Sequence, residues 1–235
     1  ARNLYETEPV FQDVMDRGLD ILDGKIDYDI RALWLAEGDA AAEAEERLKT
    51  PSIQLPLIMI TEYALAQLWM SWGVTPAAMI GHSLGENTAA CLAGVLSFED
   101  CIGLVHLRGA LFDRVPPGGM LSIPMSEESL RAEIGGDLDI ACINAPDLSV
   151  VSGSDEKLAE LADQLAAREI EAKRVPINIA AHSRMLDPIL PEFEAYLRSI
   201  TLNPPQIPII SNRTGQPLRA EEATDPSYWV QHLRN

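Results

Sequence analysis

Basic residues are scarce in this sequence. The 235-residue chain carries 18 Lys and Arg against 36 Asp and Glu, a formal charge of −18. That balance argues against nucleic acid and against an anionic membrane surface as partners. Any anionic substrate then has to be met by a locally placed cation. Long apolar runs are missing as well: Leu55 to Met70 comes closest, and Glu62 and Gln67 interrupt it, short of a membrane-spanning segment. The three cysteines, Cys91, Cys101 and Cys142, are widely spaced with no C-x-x-C. This argues against a disulfide frame and a zinc site and leads us to expect no bound metal and a reducing, cytoplasmic compartment. They read as small core side chains. Repeats and low-complexity tracts are lacking. What is present is 47% hydrophobic residues, enough for a substantial core. Because the chain opens on Ala1 and stops at Asn235 in mid-pattern, we expect it to be an excerpt of a longer polypeptide.

The most informative stretch is Gly81-His82-Ser83-Leu84-Gly85. Ala77 to Ile80 before it reads as a short buried strand, and Glu86 to Ala93 after it as a helix. Glycines on both sides of Ser83 are expected to remove Cβ atoms that would block a sharp strand-to-helix turn. Such a turn lifts the serine hydroxyl clear of the backbone, next to a helix N-terminus that favours developing negative charge. This is the G-x-S-x-G nucleophile elbow. A glycine-flanked N-cap serine is the plainer reading.

The rest of the chain falls into three regions. Residues 1 to about 118 read as mostly helical, with an acidic Ala40 to Arg47 stretch and a long apolar helix from Ser52 to Trp72 closing at Gly73. Another helix starts at the capping-box-like Ser97-Phe98-Glu99-Asp100 and runs to about Phe112. From residue 119 to 179 the rhythm changes to strand, helix, two strands around Ala145-Pro146-Asp147, an amphipathic helix capped by Ser154, and a strand at Ala172 to Ile177. That β-α-β-β-α-β order predicts a ferredoxin-like unit inserted in a larger domain. The larger domain resumes at residue 180, with a helix from about Pro188 to Arg198, a strand at Ile207 to Ser211 and a further element from Asp225.

A serine nucleophile needs a base, and only four histidines exist. His82 adjoins the serine and points elsewhere, His106 lies inside a helix, and His232 is near the end. His182, after a strand and behind the small Ala180 and Ala181, is the best candidate. Arg108 is a second unusual choice, set in the apolar run Ile102 to Gly109. A guanidinium there is costly unless it meets a carboxylate or phosphate, which its planar fork suits; an ordinary arginine near a helix C-terminus is the alternative.

Several motifs in order now carry a resemblance: Leu4 to Phe11, Trp69 to Val74, Gly81-His-Ser-Leu-Gly-Glu86, Arg108-Gly109, Ile143-Asn-Ala-Pro146, Val150 to Gly153, Ala181-His-Ser-Arg-Met185, Ile210 to Gly215 and Tyr228 to Asn235. Together they resemble the acyltransferase domains of modular polyketide synthases, relatives of malonyl-CoA:acyl-carrier-protein transacylases. The resemblance implies an α/β fold, with an α/β-hydrolase-like large subdomain over 1–118 and 180–235 and a ferredoxin-like small subdomain over 119–179. It implies Ser83 as the acyl-carrying nucleophile, His182 as its base, Arg108 as the partner of a substrate carboxylate, and Leu84 N–H as an oxyanion donor. The His232 backbone carbonyl would orient the catalytic histidine, and His82, Ile179 and Ala181 would line the pocket. No cofactor is implied beyond the acyl-CoA substrate and the phosphopantetheine of an acyl carrier protein, the expected partner together with other domains of a synthase. Arg184, Lys173 and Arg174 are candidates for docking that acidic partner. The family's G-Q-G-x-Q segment does not occur in this chain.

The reaction implied is transfer of a malonyl or methylmalonyl unit from coenzyme A through an acyl-serine. Ile179-Ala180-Ala181-His182 matches neither the H-A-F-H of malonyl domains nor the Y-A-S-H of methylmalonyl ones. Ala181 leaves room for an α-branch, whereas Leu84 is more usual in malonyl-type sequences. A serine hydrolase is the rival reading; it requires an acid between Ser83 and His182, and Asp137, Asp139, Asp147 and Asp155 are available.

Overall fold

Small polar side chains set where the helices begin. In the computed structural model, which describes residues 1–235, the hydroxyls of Ser97, Ser126 and Ser154 each accept a hydrogen bond from the N–H three residues on, satisfying a donor that the helix itself cannot. In chain order the elements are helices α1 (Arg2–Thr7), α2 (Pro9–Asp23), α3 (Ile30–Trp34), α4 (Ala41–Arg47) and α5 (Pro51–Ser71), strand β1 (Met79–Ile80), and helices α6 (Leu84–Leu92) and α7 (Phe98–Phe112). Then come β2 (Gly119–Ile123), α8 (Glu127–Glu133), β3 (Asp139–Ala145), β4 (Leu148–Gly153), α9 (Asp155–Ala166) and β5 (Lys173–Arg174). The chain finishes with α10 (Leu190–Ser199), β6 (Ile209–Ile210), α11 (Ala220–Ala223) and α12 (Pro226–Arg234). The fold is α/β. No helix is long and apolar enough to cross a membrane.

Two compact units are formed, Ala1–Asp113 with Phe193–Trp229, and Arg114–Glu192 with Val230–Asn235. In the first, α5 is the central helix and packs against α2, α6 and α7. Two glycines permit this closeness. A Cβ on Gly18 would run into Ile60, and one on Gly109 would run into the backbone of Pro51 and Ser52. β1 and β6 pair in parallel, Met79 with Ile209 and Ile80 with Ile210. The strand expected over Ala77 to Ile80 is thus shorter than its apolar run, and it is an edge rather than a buried strand: Ile80 is 74% exposed. One face of α5 also leaves Ile58, Leu65 and Trp69 exposed.

The second unit holds an antiparallel sheet in the order β3-β4-β2-β5, the order of a split β-α-β-β-α-β unit. Alternation along the strands gives the sheet two apolar faces. Leu121, Ile123 and Val151 point to the side of Leu158, Leu161 and Leu165 from α9, while Met120, Ala141 and Val150 pack with Ala181. β5 is only two residues long, although Ala172 to Ile177 reads as a strand. Past Arg174 the chain keeps one bond, from Val175 N–H to the Met120 carbonyl at 3.0 Å. Val175, Ile177 and Ile179 then cover the second face.

Candidate active site

Within the first unit the Gly81–Gly85 turn joins β1 to α6. Ser83 has φ 51° and ψ −111°, a conformation a non-glycine residue adopts only under constraint. Gly81 is required by it, because a Cβ there would overlap the Gly85–Glu86 peptide. Gly85 is not: a Cβ on it meets nothing within 4 Å and its φ is ordinary. Only the first of the two flanking glycines therefore has the steric role expected of both.

The turn places Ser83 beside Arg108. The guanidinium donates to Ser83 Oγ at 3.0 Å and to Asn87 Oδ1 at 3.2 Å. Arg108 is 4% exposed, and its Nε is buried without a hydrogen-bond partner. No carboxylate is paired with it, and burial alone pushes its pKa down to about 10. The group is still a cation at neutral pH, an uncompensated buried charge of the kind that proteins keep for an anionic partner. Its bond to Ser83 has a chemical consequence. With Oγ accepting from Arg108, the hydroxyl proton is directed toward some other acceptor. Leu84, the first residue of α6, has a backbone N–H without an intrahelical acceptor.

Asn87 is a site residue that sequence reasoning missed. Its position one turn beyond Ser83 on α6 was the available signal, since residues four apart share a helix face. His82 is exposed and lines an open groove of about 570 Å³ with Glu62, Met79, Ile80, Gly85 and Thr88. Neither Ser83 nor Arg108 lines that groove. His106 is half-buried, and burial lowers its pKa; the Ser52 backbone is its hydrogen-bonding neighbour.

Within the second unit His182 also has a left-handed backbone, φ 54°, and is 8% exposed. The residues that follow tie it down. Ser183 Oγ donates to the Ala180 carbonyl at 2.7 Å and accepts from Met185 N–H at 3.2 Å. Arg184 binds Asp139 through its backbone N–H (2.9 Å), Nε (3.0 Å) and Nη2 (2.8 Å), holding the Asp139 carboxyl below the usual range. His232, from the last turn of α12, is buried and sets its ring edge-on to His182, centroids 6.5 Å apart. Ala181 is buried against the sheet, with Ile179 beside it.

Among the candidate docking cations, Arg184 is thus paired with Asp139, and Arg174 is paired with Asp155 at 2.5 Å. The same two pairs occupy two of the four acids from which a hydrolase triad would draw its third member. Cys91, Cys101 and Cys142 are free thiols.

Comparison with known proteins bears on these geometries. The family model described as the acyl transferase domain matches residues 1–235. The polyketide synthase GfsB of Streptomyces halstedii is 35% identical over 238 residues, covering 100% of this chain and 4% of that protein. The solved acyl transferase domain of ZmaA superposes with a TM-score of 0.91 at 39% identity, covering 99% of this chain and 54% of that one. A malonyl-transacylase solved in complex with a type II polyketide synthase acyl-carrier protein gives a TM-score of 0.85 at 27% identity, covering 99% and 75%. The chain spans a small part of the length of the curated relatives it matches, and about half of the ZmaA domain.

Proposed function

The chain belongs to the acyl transferase domain family, and from that premise we propose that it takes a malonyl-type acyl group from coenzyme A onto Ser83 and passes it to the phosphopantetheine thiol of an acyl carrier protein. The observation that carries the substrate class is Arg108: a buried guanidinium without a carboxylate partner, 3.0 Å from Ser83 Oγ. A thioester with a free carboxylate brings the missing anion, and the planar fork binds it bidentately. A plain acetyl group would leave that charge uncompensated.

His182 serves as the base. It takes the Ser83 proton as Oγ attacks the thioester carbonyl, and returns it to the departing thiolate of coenzyme A. The acyl-serine is then attacked by the carrier thiol, whose proton follows the same route through His182 back to Oγ. Each half-reaction passes through a tetrahedral oxyanion facing the Leu84 N–H, a donor whose loss costs about 10²–10³ in rate. Two half-reactions through one covalent intermediate give ping-pong kinetics. The His232 carbonyl orients His182, and Ile179 and Ala181 shape the room around the α-carbon. Support for a carrier partner and for other synthase domains comes from the relatives, which are a polyketide synthase and a transacylase bound to its carrier protein.

Intact-mass spectrometry after separate incubation with malonyl-CoA, methylmalonyl-CoA and acetyl-CoA tests this. The expected result is an adduct from a carboxylated donor that disappears in Ser83→Ala. In Arg108→Ala the carboxylated adduct forms at least about 10²-fold more slowly, as loss of a buried ionic contact of about 3 kcal/mol requires, while acetyl transfer is spared. Equal labelling by all three donors, unchanged in Arg108→Ala, would contradict the substrate class.

A further inference from the structure

We propose that Asn212 is a positioning residue for the nucleophile, an amide clamp that holds the strained backbone of Ser83 from a loop 129 residues away in sequence. The inference rests on Ser83 being the nucleophile. Asn212 Oδ1 accepts from the Ser83 N–H at 2.9 Å, and Asn212 Nδ2 donates to the Gly81 carbonyl. One side chain thus grips the turn at its first residue and at the serine itself. An amide meets both needs: the Ser83 end requires an acceptor and the Gly81 end a donor, which also fixes which way the amide faces.

Asn212 is itself held from behind. Its backbone N–H donates to Glu86 Oε2 at 2.6 Å, and Glu86 Oε1 accepts from the Tyr228 hydroxyl at 2.5 Å. The Tyr228 hydroxyl lies 2.7 Å from Ser211 Oγ. Glu86, Ser211 and Tyr228 are all buried. Because Glu86 is on α6, three residues after Ser83, the clamp closes on the element it positions. A Ser83 backbone at φ 51° is strained and persists only where its surroundings over-determine it. Asn212 supplies that determination, and with it the placement of Oγ against Arg108 and of the Leu84 N–H.

The test uses a fluorophosphonate, which labels an activated serine whatever acyl group the enzyme prefers. With the whole chain, kinact and KI are measured at Ser83 for wild type, Asn212→Ala and Tyr228→Phe, beside thermal melts. Misplacement of a reacting atom by about 1 Å costs about 10²-fold. Asn212→Ala is therefore expected to lower kinact 10- to 100-fold (on the order of that cost), with KI and the melting temperature little changed. A wild-type kinact in a folded Asn212→Ala would overturn the proposal, as would a parallel loss of kinact, KI and melting temperature. If Asn212→Ala shows no melting transition, Tyr228→Phe decides: a lower kinact at unchanged KI supports the clamp, and an unchanged kinact overturns it. Wild-type protein that is not labelled at Ser83 would overturn the nucleophile assignment and the clamp together.

Discussion

At Gly81 one carbon atom separates a working turn from a broken one. The structure distinguishes two glycines that look equivalent in Gly81-His-Ser-Leu-Gly85. A Cβ at 81 overlaps backbone, which cannot swing aside, whereas a Cβ at 85 enters open space. Gly81→Ala is expected to cost about 3 kcal/mol, the upper range for forced overpacking, and to abolish acylation of Ser83. Gly85→Ala is expected to change stability by no more than about 0.5 kcal/mol and to acylate normally. Thermal melts and intact mass on the two variants check this. The sequence alone could not rank them, because a glycine's reason depends on what lies across from it in space. Asn212 was hidden for a related cause. It lies within the run Ile210 to Gly215, and a side chain that grips backbone 129 residues away leaves no periodic trace. Arg108 was visible for the opposite reason: a guanidinium in an apolar helical run contradicts its surroundings locally, and the contradiction itself is the signal.

Elements were legible where a local rule decides them. Ser97 with Asp100 fixed the start of α7, and Ala145-Pro146-Asp147 separated β3 from β4, because a cap and a turn are written in adjacent residues. Strand length was not legible. Ala77 to Ile80 and Ala172 to Ile177 have strand composition, yet pairing reaches only Met79–Ile80 and Lys173–Arg174, since a strand extends only as far as its neighbour does. The turn carrying His182 depends on such a non-local partner too, the Arg184–Asp139 pair. Asp139 has a carboxyl depressed by Arg184, so its stabilisation is present above the ordinary aspartate value of 3.8 and is lost as pH falls through the folded value. Arg184 is half exposed, which screens the pair and limits it to about 1 kcal/mol. Asp139→Asn is expected to lower stability by that amount at pH 7, with the difference from wild type shrinking as pH falls below 3.8. Denaturant melts at pH 7 and at a series of lower pH values check the sign, and a difference that grows toward acid would contradict it.

For the molecule as a whole, the ferredoxin-like strand order was readable because each step from β2 to β5 is short. The pairing of β1 with β6 joins residues about 130 apart, and no local pattern in the sequence anticipates it. The formal charge of −18 makes the buried Arg108 more conspicuous, since the long-range field of an acidic protein repels a polyanionic malonyl-type coenzyme A thioester. Recognition then has to be local, and raising the ionic strength is expected to lower KM for the carboxylated donor by screening that repulsion. Steady-state kinetics at 20 and 200 mM salt read this directly; a KM that rises with salt would contradict it.

Under the proposed function Ser83 passes its acyl group to a thiol rather than to water. The most direct measurement isolates the acyl-enzyme and follows its decay by intact mass in buffer alone and with a phosphopantetheinylated acyl carrier protein. The expected result is an adduct that persists in buffer and is discharged by the carrier, which gains the acyl mass as the enzyme loses it. Decay at one rate in both, with free acid as the product, would contradict it and identify a hydrolase.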